Sequence, residues 1–283
     1  MFPTPIDRAS PPVQLLYKAA LPIALFVWLA PIIAVALTSI RGQADLTSGN
    51  YWGIPTQWKI AENYAAVFTN TPILHYIGNS FLVTIPTVIG AVALSCLAGF
   101  ALGIYRFKFN LLVFFVFVGG NFVPFQILMV PVRNLSLQLG LYDTVTGLVL
   151  FHVAFQSGFC TFFMRNFIRE LPSELIDAAR VEGASEFQIF WRVVLPLVRP
   201  AVAALAVLIF TFIWNDYFWA TVLIQGDHAM PVTGGLKTLN GQWVAQWQLV
   251  SAGSIVAALP PVVIFFLMQK HFIAGLTMGA TKG

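Results

Sequence analysis

One carboxylate stands out for where it falls. Asp216 lies at the end of a strongly apolar run, beside Asn215 and among Trp214, Tyr217, Phe218 and Trp219. Charge inside a bilayer is costly and marks function or pairing. Aromatic rings next to hydrogen-bonding groups suit a sugar, whose faces are apolar and whose edges are polar. The same residues would also serve as a helix-packing or interface-capping pair, and the sequence leaves both readings open. Asn121, Gln126, His152, Gln156 and Ser157 sit in other apolar runs, where each could line the same path or hydrogen-bond between helices. Asn121, Gln156, Asn215, Asp216, Tyr217 and Trp219 are therefore the candidate solute path. No comparable set supports catalysis. His75, His152, His228 and His271 are scattered, and no HExxH, GxSxG or paired intramembrane carboxylate occurs. A phosphate-cradling GxxxxGK loop is also missing, so ATP hydrolysis by that route needs another chain. Cys96 and Cys160 both lie in apolar runs and read as buried thiols, not as a disulfide or a metal site.

The elements that must hold these residues are membrane spans. The 283-residue chain is 58% hydrophobic and only 9% charged, where a soluble domain carries about 25% charged residues. Lipid must therefore solvate most of its exterior. Six apolar stretches approach the roughly 20 residues that cross a hydrocarbon core: 19–40, 77–105, 109–132, 144–164, 200–224 and 249–268. They lack the alternation of a barrel strand, so the fold class is all-α, a polytopic membrane protein with six transmembrane helices. Pro31, Pro86, Pro124, Pro260 and Pro261 predict kinks within spans, not ends. Residues 1–18 read as a cytosolic tail, disordered up to Pro12, within one transmembrane domain over 1–283. Gly99 and Gly103 give the second span a small-xxx-small pair suited to close helix packing.

Placing the N-terminus in the cytosol puts Arg8, Lys18, Arg106, Lys108, Arg165, Arg169, Arg180, Arg192, Arg199, Lys270 and Lys282 inside, against Arg41, Lys59, Arg133 and Lys237 outside. That bias sets both termini in the cytosol. Trp52, Trp58, Trp243 and Trp247 fall in the two long outside segments, as interface anchors do. The net charge of +4 is small and gives no reason to invoke nucleic acid.

The cytosolic segment 165–199, between spans four and five, reads unlike the rest. It holds Glu170, Glu174, Asp177, Glu182 and Glu186, five of the eleven acidic residues. Pro172 and Ser173 read as a helix start with Ser173 as N-cap and Glu174 near the positive end. Leu175, Ile176, Ala178, Ala179 and Val181 give an apolar face. Gly183 suits the left-handed residue that ends a helix, and Ser185 and Glu186 begin a second. A loop lying on the membrane surface would carry a basic polar face, whereas this tip is acidic. A protein partner is the better occupant, and the small residues would let it approach closely.

Here the sequence resembles a family. Asp177-Ala178-Ala179, three residues, Gly183, nine residues, Val193, one residue and Leu195-Pro196 looks like the "EAA" motif of ABC importer permeases. Asp177 stands where the family has Glu, and Val193 where it has Ile. Trp214-Asn215-Asp216 and the tail Gly275-Leu276-Thr277, Gly279, Lys282-Gly283 are similar to the maltose-type permeases, second permease subunit. The resemblance implies a permease of a binding-protein-dependent importer in the bacterial inner membrane, importing a sugar or sugar-like solute by alternating access. It implies that Glu174, Asp177, Ala178, Ala179, Gly183, Leu195 and Pro196 form coupling helices docked on an ATPase dimer that holds ATP and Mg, with no cofactor on this chain. It also implies a homologous second permease subunit and an extracytoplasmic solute-binding protein. The turn-rich outside segment 225–248 would touch that binding protein through Asn240, Gly241 and Gln242, or else form a floppy interfacial loop. A stand-alone secondary transporter fits less well, because the spans do not form two matching halves with interrupted helices.

Overall fold

A computed structural model of the chain describes residues 10–240 and 245–278, with side chains described as far as residue 269. The described residues form helices and turns, and no strand occurs among them. In chain order, α1 is Pro11–Ser39, α2 Gln43–Thr47, α3 Ile60–Asn70 and α4 Ile73–Ile104. α5 (Asn110–Gly119) and α6 (Met129–Gln138) are joined by the 3-10 turns Gly120–Phe122 and Phe125–Leu128. α7 is Val145–Arg169 and α8 Ser173–Val181. α9 (Glu186–Ile189) runs through a π-turn, Phe190–Val194, into α10 (Leu195–Leu197). α11 (Arg199–Trp214), α12 (Phe218–Leu223) and α13 (Val232–Gly235) follow. A 3-10 turn at Leu236–Leu239 precedes α14 (Trp247–Met278).

Four single helices are long and apolar enough to cross a membrane: α1, α4, α7 and the Trp247–Gln269 part of α14. Two bent pairs bring the number to six when each counts as one span. The departures from the expected spans have local causes. The first helix begins at Pro11, because proline at the first helical position has a pre-set φ and no N–H to leave orphaned. It thus takes in much of the expected tail. The third span is not continuous: Asn110–Phe122 and Phe125–Gln138 meet at 89°. Adjacent Gly119 and Gly120 followed by Pro124 end the helix there, so Pro124 marks a break and not a kink. Pro31, Pro86, Pro260 and Pro261 stay inside helices, as expected. The fifth span stops at Trp214, which leaves Asp216 in a break before α12 and not within a helix. Arg165 and Arg169 belong to the end of α7, so the loop between the fourth and fifth spans starts at Glu170.

The chain groups into two compact units. One takes the chain up to Thr71 with Thr238–Val256, and the other takes Pro72–Lys237 with the chain from Ala257 on. In the first, Asn63 on α3 donates through Nδ2 to the carbonyls of Ser39 (2.9 Å) and Arg41 (2.8 Å), closing the end of α1. Arg41 is fully buried and donates to the carbonyls of Asn50 and Gly53, while the Asp45 carboxylate accepts from the backbone and hydroxyl of Thr56. These bonds fold the 40–59 segment into a defined structure and leave Trp52 and Trp58 exposed.

In the second unit α4 packs along α7. A Cβ added at Gly99 would sit 2.9 Å from the backbone N of Arg165 and 3.0 Å from Cβ of Met164. One added at Gly103 would meet Ile168 at 3.4 Å, an ordinary contact. The close approach therefore rests on Gly99. Gly99→Val should separate the two helices and cost about 1–3 kcal/mol, whereas Gly103→Ala should be tolerated. Thermal midpoints of the purified protein in detergent check this, and equal midpoints for the two variants would count against it.

Candidate functional site

Two regions in the second unit gather the sequence-predicted residues. The first is the 170–199 loop. α8 ends in a Schellman motif: Ala184 N–H donates to Ala179 O (3.0 Å) and Gly183 N–H to Arg180 O (3.0 Å). Gly183 has φ +82°, the left-handed conformation expected of it, and no atom lies within 4 Å of where its Cβ would be. Ser185 caps α9 in a reciprocal capping box with Gln188. Ser173, by contrast, is the first helical residue and not the cap, a position that Pro172 takes without a side-chain bond. Across the turn Arg180 clamps both helices, pairing with Asp177 at 3.2 Å and with Glu186 at 2.9 Å. Tyr105, just after α4, donates its hydroxyl to Glu186 at 2.6 Å.

Of the apolar positions on α8, only Ile176 is buried in this chain. Val181 is 88% exposed, and Leu175 and Ala178 are also exposed, as is the polar Glu174. Ala178 and Ala179 face Val193 and Pro196 across a groove of about 410 Å³. Leu195 and Pro196 follow the π-turn. Proline lacks an N–H and crowds the carbonyl four residues back, and a wide turn of this kind absorbs such a defect. The segment Glu186–Leu197 then bends by 74° into α11.

The second region is a cavity of about 490 Å³ at two breaks in the backbone. Asn121 and Phe125 come from the α5–α6 break, and Asn215, Asp216 and Tyr217 from the α11–α12 break. His152, Phe155, Gln156 and Phe159 line it from α7, and Trp219 from α12. All six candidate path residues meet here. Their duties differ. The Asp216 carboxylate accepts from the first-turn N–H groups of Trp219 (3.3 Å) and Ala220 (2.9 Å), so it caps α12. Trp219 is buried against Phe151, ring centres 4.1 Å apart. Asn121 and Asn215 bond back to backbone carbonyls one turn earlier. Gln156 makes no side-chain hydrogen bond among the described residues, and Tyr217 is half exposed. The capping reading of Asp216 holds, and its carboxylate lines the cavity as well.

Sequence reasoning placed His152 on this path but missed its partner. His152 is 3% exposed, and its Nε2 lies 3.4 Å from Asp216 Oδ2, close enough for an ion pair though not aligned as a hydrogen bond. The two residues are 64 positions apart (216 − 152), and no local signal links them.

A second feature also escaped the sequence. The 225–248 segment is not a loose loop over residues 225–237. Ala229, Met230 and Val232 are buried, Asn79 on α4 donates to the carbonyls of His228 and Met230 (3.1 Å each), and Ser80 accepts from Val232 N–H. Asp143, the one non-glycine residue with positive φ among those described, fixes the start of the segment by accepting from the N–H groups of Gln225 (2.8 Å) and Gly226 (2.9 Å). Asn240 is exposed, while Gly241 and Gln242 lie outside the described residues, as do Gly279, Lys282 and Gly283 of the tail.

A helical membrane protein with a helix-turn-helix loop between two spans and a cavity at broken spans is the architecture of a transport permease. Residues 80–278 match the family described as "Binding-protein-dependent transport system inner membrane component", and the chain belongs to that family. It is thus a multi-pass inner-membrane permease component of an ABC importer and not itself the catalyst, since the ATPase of such systems is a separate subunit. It is 32% identical over 98% of its length to the arabinooligosaccharides transport system permease protein AraQ of Halalkalibacterium halodurans, covering 99% of that protein. It is 33% identical over 88% of its length to a probable ABC transporter permease protein of Pyrococcus horikoshii, 91% of which is covered. It shares its fold with a chain of a solved bacterial ABC transporter involved in the import of the acidic polysaccharide alginate. That match has a TM-score of 0.79 and 24% identity over 96% of this chain and 99% of the other.

Burial raises the Asp143 carboxyl, but the Gly226 and Gln225 N–H groups and nearby His228 more than offset this and hold it below its ordinary value. Ionised Asp143 thus contributes stability that is complete above the ordinary carboxylate range and is lost as pH falls through its lowered pKa. Asp143→Ala should remove a charge-assisted pair of bonds, worth about 1.5–3 kcal/mol, and speed amide exchange in 225–231 roughly tenfold or more. Hydrogen exchange at neutral pH reads this out, and unchanged protection there would remove Asp143 from the latch.

Proposed function

We propose that the chain moves a sugar or sugar-like oligosaccharide through the cavity at the two broken spans, by alternating access driven from the 170–199 loop. The observation that carries the reading is the convergence of six polar and aromatic candidates on one cavity between backbone breaks. Non-helical backbone at membrane depth persists only where protein or a cavity satisfies it. Gln156 offers an unpaired amide to a hydroxyl edge, and Tyr217 and the phenylalanines offer faces. The arabinooligosaccharide permease, related over nearly the full length, supports the sugar class. Gln156→Leu should raise the solute concentration for half-maximal uptake by about threefold to tenfold, the loss of one hydrogen bond, measured with labelled oligosaccharides in vesicles holding the whole transporter. Unaltered uptake kinetics would take the cavity out of the path.

Docking of an ATPase dimer on α8 and α9 is the second part of the proposal. The exposed Leu175, Ala178 and Val181 form an apolar face that opens on the groove beside Val193 and Pro196, and the Arg180 clamp makes the hairpin move as one piece. Such a piece would rock the spans as a rigid body. Membership in the family favours this arrangement over a stand-alone secondary transporter. A homologous second permease subunit and an extracytoplasmic solute-binding protein complete the assembly, with both termini in the cytosol and Asn240 to Gln242 facing the binding protein. Chain residues 1–283 act as one transmembrane domain within it, and ATP and Mg belong to the ATPase.

Gly183 separates docking from folding. Any residue with a Cβ meets a conformational cost of about 1–2 kcal/mol at this φ, but open space surrounds it. Gly183→Ala and Gly183→Leu share that cost, so a further loss in the leucine or aspartate variant reports a partner surface. Gly183→Asp and Gly183→Leu should reach the membrane at normal levels yet lose uptake and ATPase pull-down, with Gly183→Ala intermediate. If uptake by Gly183→Asp matched the parent, the loop would couple nothing.

A further inference from the structure

A cleft of about 890 Å³ lies between the ends of α4 and α7, the start of α5 and the inner side of α8. It belongs neither to the solute cavity nor to the exposed coupling face. Arg106, Lys108, Arg165, Arg169 and Arg180 line it, and Asp177 is its one carboxylate. That carboxylate is already paired with Arg180. Arg106, Lys108, Arg165 and Arg169 form no ion pair with a carboxylate among the described residues.

Arg165 is the most telling of these. It is 8% exposed, donates Nε–H to Leu102 O at 3.1 Å, and lays its guanidinium 4.0 Å from the centre of the Phe114 ring. A buried guanidinium without a counter-ion is costly unless something else supplies the negative charge. Four uncompensated cations around one cleft also repel one another. An anion with several acceptor oxygens would relieve both, and guanidinium forks fit a phosphate oxygen pair.

The geometry points to a binding site for the phosphate of an anionic phospholipid. Phe107 and Leu111 line the cleft and are exposed, as is Phe109 between them in sequence. Their apolar surface continues from the basic cleft toward the α5 span, where acyl chains would lie beside a seated headgroup. Basic pockets between transmembrane helices hold anionic headgroups in this way. A soluble phosphate ester shares the headgroup's chemistry but gains nothing from that apolar border.

The test is native mass spectrometry of the whole detergent-solubilised transporter containing this chain. It is titrated separately with a short-chain phosphatidylglycerol, the matching phosphatidylcholine and inorganic phosphate. Phosphatidylglycerol should be retained over phosphatidylcholine. Arg106→Gln and Arg169→Gln should each weaken it by about fivefold, and the triple variant with Lys108→Gln by about a hundredfold. All three side chains are exposed, so the variants leave packing intact. Arg133→Gln, away from the cleft on α6 and stacked on Tyr142, should change nothing. Equal retention of the two lipids, or retention untouched by the single and triple variants, overturns the site. Displacement of phosphatidylglycerol by inorganic phosphate at comparable concentration overturns the lipid assignment and hands the cleft to a soluble phosphate.

Discussion

The contact on which the second unit depends is the backbone-to-backbone approach of α4 and α7 at Gly99. Each of these helices serves several tasks that would fail separately. α7 presents His152, Phe155 and Gln156 to the cavity at the broken spans, carries Arg165 into the basic cleft, and begins beside Asp143, which holds the start of the 225–248 segment. α4 holds that same segment through Asn79 and Ser80, and ends at Tyr105, which reaches the loop at Glu186. A pair of helices in lipid gains little from hydrophobic burial, so close packing and hydrogen bonds must do the work. The pair is therefore built around a residue with no side chain.

Around that rigid pair the remaining spans are broken. α5 and α6 meet at 89°, and α11 gives way to α12 through Asn215 to Tyr217. Both breaks open on α7. Their freed backbone groups are met locally: Asn121 and Asn215 satisfy carbonyls one turn back, and Asp216 satisfies the N–H groups of Trp219 and Ala220. Trp214 adds a bond from Nε1 to Ala257 O on α14 at 3.0 Å, pinning the helix just before it ends. The cavity is polar where the chain repairs its own interruptions, so the groups that end the helices are also the groups that face the cavity.

Much of this was legible in the sequence, and the limits are physical. Length and composition gave the spans, because the bilayer fixes both. The Gly183 turn was legible because one residue type fits its φ. The π-turn ahead of Leu195-Pro196 was not, since a proline signals a disturbed ladder without saying how the helix absorbs it. Pro124 was misjudged as a kink because its effect depends on Gly119 and Gly120 before it. The His152–Asp216 pair and the Asp143 latch join residues 64 and 82 or 83 positions apart, and no local pattern encodes such meetings. The 225–248 segment reads as a loop because its glycines and proline favour turns. Burial of Met230 and Val232 against α4 shows that turn-rich chain can still be core.

The π-turn at Phe190–Val194 gives the spacing of the coupling motif a different meaning. One wide turn amounts to an extra residue in an α-helix, and each residue rotates the helix by about 100°. The nine positions between Gly183 and Val193 therefore set an angle as well as a length. With one fewer, Leu195 and Pro196 would face roughly a quarter-turn away from Ala178 and Ala179, and the groove between them would not exist. Read this way, the interval acts as a phase setting that brings two stretches of one loop round to the same side.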